Sequence, residues 1–220
     1  MATIGEDLKV TGTVTATALS ASTASITGAM CSANMALART KLAQDTLAQF
    51  TIPWTLFRVH DAIQTMLPGT AAADDLAIDG DTFGTGTPHA TAGDLKAAGA
   101  TTRYARVLYP IPVEYDDGET INIRIHGGMQ TTVSDTSATV DIECYKSDEE
   151  AGASADLCTT AATTINSLTF ADVDFTITPT GVVSGDVLDI RIAVAVNDAA
   201  TGTAVEATLG VAKLLCDIKG

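Results

Sequence analysis

The chain has 220 residues, 46% of them hydrophobic, which allows one sizeable core but not a second large domain. Only 5% of the residues are aromatic, and the many small and β-branched side chains favour strands and tight turns over long helices. The formal charge of −15 repels phosphate backbones and anionic lipid, so we expect neither a nucleic-acid partner nor a membrane partner.

Residues 1–30 consist mainly of Ala, Thr, Ser and Gly, with a few apolar residues at irregular spacing. Such a segment has strand propensity but cannot bury a core of its own. It lacks the basic and apolar regions of a secretory signal, so we expect assembly in the cytosol. We predict an extended arm that is pinned by a partner chain. Its predicted partner-binding residues are Leu8, Val10, Val14, Leu19 and Ile26.

Residues 31–50 are predicted to connect this arm to the rest of the chain. Within them, residues 33–49 have the Ala, Leu, Lys and Gln content of a helix. Met35, Ala38 and Leu42 fall on one broad face, whereas Leu37 lies opposite. A short helix and an extended connector therefore both fit this segment.

From residue 51 onward, apolar residues alternate with polar ones, as expected for strands with one buried and one wet face. The alternation is clearest in four segments: 121–126, 140–145, 172–177 and 187–197. Residues 51–220 are therefore predicted to form an all-β domain, an antiparallel β-sandwich.

Two segments of this domain, 117–125 and 184–192, resemble each other. Each begins with a turn of Gly and an acidic residue and continues into a strand with Ile-Arg-Ile at its centre. Two such units suit the related halves of a jelly roll, which we therefore expect. An immunoglobulin-like sandwich is the alternative, although Trp54 lacks the cysteine spacing of those domains.

Two local patterns predict irregularities in the sheets. Pro110 and Pro112 lack N–H groups along the same ladder edge, so the strand at 104–113 should end at a sheet margin. The apolar phase changes near Ala212 and Lys213, which predicts a β-bulge or a strand that passes between the sheets.

The four cysteines lie far apart and form no C-x-x-C pair: Cys31, Cys144, Cys158 and Cys216. In a reducing compartment we expect them to be free and mostly buried. The alternative is a Cys144–Cys158 disulfide, which would need Cα atoms within about 7 Å of each other.

The residue types needed for catalysis do not form a recognisable motif. His60, His89 and His126 lie outside any nucleophile elbow or zinc-protease motif. The sequence therefore predicts a protein that is not an enzyme, with no catalytic residue and no cofactor.

Acidic turns raise the question of calcium, which binds roughly six to eight oxygen ligands. None of these turns matches the loop D-x-D-x-D-G-x5-E, so we predict solvated turns and no metal site. If an ion does bind, the candidates are Asp74, Asp75, Asp79 and Asp81.

Residues 7–28 (DLKVTGTVTATALSASTASITG) resemble the virion-proximal segments of bacteriophage fibres. Five further segments resemble structural proteins of tailed phages and environmental viruses: 51–62, 67–78, 94–107, 112–129 and 185–205. The resemblance implies a capsid decoration, cement or head-fibre protein that is found on the virion after assembly in the host cytoplasm. It also implies a homotrimer that binds the major capsid protein or another virion protein.

Two other functions remain open at this stage. A receptor-binding tail-fibre tip would recognise host glycans through loops such as 79–93 or 147–160, but few aromatic residues are available for a sugar site. A virion-associated hydrolase would need the catalytic constellation that the sequence does not show.

Overall fold

The computed structural model describes residues 47–80, 82–95, 99–147, 152–199 and 202–219. Within these residues there is no helix long and apolar enough to cross a membrane. The predicted arm and most of the predicted connector lie outside the described residues, and so do the five predicted contact residues Leu8, Val10, Val14, Leu19 and Ile26.

The described strands form two sheets in which all strand pairs are antiparallel. Sheet A contains β1 (Ala48–Ile52), β4 (Ala77–Asp79), β5 (His89–Thr91), β7 (Ile121–Met129), β10 (Ala171–Ile177) and β12 (Ala207–Cys216). Sheet B contains β2 (Arg58–Val59), β3 (Ala62–Met66), β6 (Gly99–Pro110), β8 (Ser137–Ser147), β9 (Thr163–Thr164) and β11 (Val187–Asp198). The order in sheet A is β10-β7-β12-β5-β4, with β1 also beside β12, and the order in sheet B is β3-β2-β6-β11-β8-β9.

Alternate residues of the inner strands point into one core between the sheets. In β11, every second residue from Leu188 to Val196 is buried, and the residues between them are partly exposed. In β7, Ile121, Ile123 and Ile125 face the core in the same way. Burial of one such side chain stabilises the fold by about 1.5–3 kcal/mol. The predicted all-β fold, an antiparallel β-sandwich of jelly-roll type, is confirmed.

The two similar segments occupy related places in the two sheets. Gly118 and Gly185 both have positive φ, 88° and 90°, a conformation that glycine adopts without steric strain. The first turn leads into β7 of sheet A and the second into β11 of sheet B. The two turns also contact each other, because Ser184 N–H donates to Asp117 Oδ1 at 2.8 Å.

Both predicted sheet irregularities are present, one of them at a shifted position. The register of β12 against β7 changes between Leu209 and Val211, so the bulge is at Gly210, two residues before the expected place. The sequence pattern did not locate the bulge at Gly210, because Val211 is apolar although its side chain points outward. The edge of β6 that faces away from β11 pairs with a strand only at Arg106, opposite Arg58 of β2. The end of β6 at Pro110 therefore lies at a sheet margin, as the prolines predict.

The first strand begins earlier than the sequence pattern suggested. β1 starts at Ala48, so Ala48 and Gln49 belong to a strand and not to a helix over 33–49, which was one of the two alternatives for that segment. Antiparallel pairing of Ala48 with Cys216 outweighs the weak local helix propensity. The sandwich therefore begins before residue 51.

Candidate functional site

The outer face of sheet B brings together polar and aromatic residues from three adjacent strands. β11 lies between β6 and β8 along its length, so its outward residues are registered with outward residues on both neighbours. The pairing produces three rows across the sheet: Leu108–Asp189–Tyr145, Arg106–Arg191–Glu143 and Tyr104–Ala193–Asp141.

An open groove of about 360 Å³ lies over these rows. The turn after β2 contributes His60 to its wall, and the segment after β8 contributes Ala153. Five strand residues complete the lining: Arg106, Glu143, Tyr145, Asp189 and Arg191. The groove is therefore built mainly on strands, which hold side chains more rigidly than loops do.

Two arginine–carboxylate pairs fix the floor of the groove. Arg106 makes two hydrogen bonds with Asp189, one of them from Nε to Oδ1 at 2.7 Å. This interaction raises the pKa of Arg106. Arg191 Nη2 lies 2.5 Å from Glu143 Oε1. Two cations thus face two carboxylates, and the floor is balanced in charge although the whole chain is strongly acidic.

Aromatic rings lie beside these pairs. The Tyr104 ring packs against His60 with centroids 4.6 Å apart, and the Arg191 guanidinium carbon lies 4.9 Å from the Tyr104 ring centroid. The Tyr145 hydroxyl donates to Glu143 Oε2 at 3.3 Å, and burial raises its pKa, so it stays protonated at neutral pH. Arg191 Nε is buried without a hydrogen-bond partner among the described residues.

The outer face of sheet A carries ion pairs of a simpler kind. Arg124 binds Asp174 through two hydrogen bonds of 2.6 Å each, and His126 Nδ1 lies 2.7 Å from Asp172 Oδ1. These side chains are partly exposed, between 25% and 46% of their area. His126 is thus an ordinary surface histidine, as its place on the polar side of the strand predicts.

The calcium candidates that the structure describes, Asp74, Asp75 and Asp79, do not form one cluster of metal-ligating atoms. Asp74 and Asp75 lie together, but their neighbour is His60. Asp79 accepts a hydrogen bond of 2.6 Å from the N–H of Gly80, and Asp81 lies outside the described residues. The grouping therefore differs from the sequence expectation because His60, 14 residues earlier, is brought to the same place by the turn after β2.

The described cysteines are free thiols, as expected. Burial raises the pKa of Cys216 to about 11 and raises that of Cys144 further still. Cys158 is half-buried, and burial raises its pKa too. Because the thiolate is the reactive form, these three cysteines are poor nucleophiles at neutral pH.

Sequence reasoning did not find the groove. Of the two loops considered for glycan recognition, 79–93 and 147–160, only the second contributes a lining residue, Ala153. The available signal was the polar phase of the strands, which contains Asp189, Arg191 and Glu143. That signal shows which residues face outward but not which of them become neighbours.

No protein-family model and no curated protein matches this chain. Among solved structures, it is similar to the CBM22-1 xylan-binding domain of Paenibacillus barcinonensis Xyn10C, with 10% identity over 79% of this chain and 99% of that domain and a TM-score of 0.38. It is also similar to the xylan-binding module CBM15, with 10% identity over 79% of this chain and 99% of that module and a TM-score of 0.35. A family 30 carbohydrate-binding module has 11% identity over 77% of this chain and 85% of its own, with a TM-score of 0.34. At this level the likeness carries no functional argument.

Proposed function

We propose that the sandwich is a non-enzymatic binding domain that holds a carbohydrate in the groove on the outer face of sheet B. The observation that carries this proposal is the combination of the Tyr145 ring with fixed, planar polar groups on one open sheet face. The apolar face of a sugar ring can pack on an aromatic side chain, while its hydroxyls pair with arginine and carboxylate groups. A few placed polar groups beside such packing surfaces are typical of small-molecule sites.

Hydrolysis of the bound sugar is disfavoured because both carboxylates of the groove are bound by arginines. Glycoside hydrolysis needs one carboxylic acid that donates a proton and a second carboxylate that attacks or activates water. Asp189 is bound by Arg106, and Glu143 is bound by Arg191 and by the Tyr145 hydroxyl. Both carboxylates are engaged in holding cations, which suits a rigid binding surface better than proton transfer.

The charge balance of the groove favours a neutral saccharide. Arg106 and Arg191 are each matched by a carboxylate, so little positive charge remains to attract an acidic sugar. The net charge of −15 adds a general repulsion of anions. Binding should therefore depend weakly on salt concentration.

The test is a panel of neutral and acidic polysaccharides in affinity electrophoresis, followed by calorimetry on the best ligand. Tyr145→Ala and Arg191→Ala should each weaken binding at least tenfold, because they remove a ring and a cation that line the groove. Arg124→Ala is the matched control, since Arg124 occupies the same Ile-Arg-Ile context in sheet A. Unchanged binding by both groove variants, or no wild-type binding to any glycan of the panel, would contradict the proposal.

We further propose that this chain is a virion structural protein of the capsid decoration, cement or head-fibre type. The supporting observation is the composition of residues 1–30, a segment whose larger apolar residues are sparse and irregularly spaced, so that it cannot bury a core alone. Arms of this kind add backbone hydrogen bonds and small apolar contacts to neighbouring chains. In a trimer, three arms would convert a modest single affinity into stable attachment to the major capsid protein or another virion protein. A carbohydrate groove on the sandwich is compatible with this role.

Deletion of residues 1–30 tests the attachment. The truncated chain should keep the unfolding transition of the sandwich but be absent from purified particles. Incorporation of the truncated chain at the normal copy number would refute this role for the arm. Many wild-type copies per particle would indicate decoration, whereas a few copies would indicate a tail-fibre tip.

A further inference from the structure

His60 lies between two aspartates beside the groove. His60 Nε2 is 3.6 Å from Asp74 Oδ2, and His60 Nδ1 is 3.7 Å from Asp75 Oδ1. One ligand atom from each of the three residues lies within 4.8 Å of the other two. The aspartates are held in place by β6, because Tyr104 N–H donates to the Asp74 carbonyl at 2.7 Å and Leu76 N–H donates to the Tyr104 carbonyl at 2.9 Å.

The two innermost atoms of this cluster are left without hydrogen bonds. His60 Nδ1 and Asp75 Oδ1 are both buried and have no hydrogen-bond partner in the described part of the chain. Their side chains are only 15% and 21% exposed. A separation of 3.7 Å exceeds hydrogen-bond length, and buried polar groups in native proteins are nearly always paired. The other histidine–aspartate pair, His126 with Asp172, closes to 2.7 Å.

The spacing that is too wide for a hydrogen bond suits two ligands of one metal ion. Two ligand atoms each about 2.1 Å from a tetrahedral ion are about 3.4 Å apart. An imidazole among the ligands favours zinc-class ions over calcium, which prefers oxygen.

We propose that a divalent transition-metal ion of the zinc class binds between His60 Nδ1 and Asp75 Oδ1, with water completing its coordination. Asp74 Oδ2 lies 3.6 Å from the second ring nitrogen, Nε2, and would orient the imidazole once it closes to hydrogen-bond distance, as outer carboxylates do for metal-bound histidines. The site does not depend on the proposed sugar binding, but the His60 ring packs on Tyr104 and the His60 carbonyl accepts a hydrogen bond of 3.4 Å from Arg106. A bound ion would therefore hold this wall of the groove in place.

The experiment is calorimetric titration of the chelator-treated full chain with Zn²⁺ at pH 7, with Co²⁺ as a spectroscopic probe. One equivalent of Zn²⁺ should bind and raise the melting temperature by a few degrees when the ion is in large excess over its Kd. Co²⁺ should show the visible absorption of nitrogen and oxygen ligation without thiolate charge-transfer bands. Binding should be lost as the pH falls through the range in which a histidine ligand protonates.

Variants assign the site to these residues. His60→Ala and Asp75→Asn should abolish the binding of Zn²⁺, and Asp74→Asn should weaken its affinity about 10- to 100-fold. The matched control His126→Ala should bind one equivalent of Zn²⁺ as the wild type does. Asp75→Asn keeps the shape of the side chain and serves as the decisive variant if His60→Ala unfolds the domain. The proposal would be overturned if Asp75→Asn still bound one equivalent of Zn²⁺ or if His126→Ala lost that binding. It would also be overturned by thiolate bands with Co²⁺ or by the absence of Zn²⁺ binding in the wild type. Because sugar affinity is measured separately on Arg191→Ala, failure of one proposal is distinguishable from failure of the other.

Discussion

The outer faces of the two sheets are built on the same sequence unit and have different surfaces. β7 and β11 each carry Ile-Arg-Ile, and each arginine pairs with a carboxylate on the next strand, Arg124 with Asp174 and Arg191 with Glu143. In sheet A, Arg124 is matched by exposed aspartates on β10 alone. In sheet B, Arg191 also lies over an aromatic ring and keeps one buried N–H unpaired among the described residues.

The neighbouring strand accounts for this difference. Beside Arg124, β12 contributes Lys213, whose Nζ donates to Gln49 at 3.0 Å. Beside Arg191, β6 contributes Arg106 and places Tyr104 one row away. The same turn-to-strand unit thus forms a solvated surface in one sheet and the floor of a groove in the other.

The largest effect is expected on the inward sides, where the two units should be equivalent. Ile123 of β7 and Ile190 of β11 are both fully buried, so Ile123→Ala and Ile190→Ala should each lower the free energy of unfolding by about 2–5 kcal/mol. Urea denaturation measures both losses. A difference of more than about 2 kcal/mol between them would show that the units do not share one role in the core.

The next prediction concerns a position where the units differ in backbone space. A Cβ at Gly128 of β7 would lie 2.8 Å from Phe170 Cδ2 and 3.0 Å from the Ser167 carbonyl oxygen. Gly128→Ala should therefore destabilise by about 1–3 kcal/mol. Its counterpart in β11 is Ala195, and Ala195→Gly should destabilise by only about 0.5–1 kcal/mol, through backbone entropy. Equal unfolding midpoints for wild type and Gly128→Ala would contradict this close approach.

The ion pairs of the two faces should differ by a smaller amount in how much they stabilise the fold. Asp189 is 20% exposed and receives two hydrogen bonds from Arg106, whereas Asp174 is 41% exposed. Asp189→Asn should lower stability by about 1 kcal/mol, and Asp174→Asn by no more than about 0.5 kcal/mol. Parallel urea curves at low and high salt measure both losses. A larger loss in Asp174→Asn would mean that sheet A carries the more important pair.

The smallest effect concerns the pH dependence at the groove wall. Burial and Asp74 raise the pKa of Asp75, so the folded protein holds this proton more tightly than the unfolded chain. The contribution of Asp75 to the free energy of unfolding should therefore fall as the pH rises from about 4 through the raised pKa. In metal-free buffer, Asp75→Asn should be more stable than wild type at pH 7 and equal to it below about pH 4. Denaturation at both pH values tests this, and a variant less stable at pH 7 would reverse the sign.

The sequence predicted the features that depend on neighbouring positions in the chain. The alternation in β11 and β7 identified the strands and their buried sides, and the phase change identified the bulge within two residues. The alternation also placed Arg191 and Glu143 on the wet side. Their contact was not predictable, because 48 residues separate them and the register of β11 against β8 brings them together.

The sequence by itself determined the all-β fold, the repeated Gly-acidic turns and the polar sides of the strands, since period-two patterns and positive-φ glycines act within a few residues. Only the tertiary structure decided that Tyr104, Arg106, Asp189, Arg191 and Glu143 share one face, and that His60 meets Asp74 and Asp75. It also decided that Ala48 and Gln49 join a strand. The physical reason is that strand register and sheet order are set by long-range packing, whose partners lie tens of residues apart.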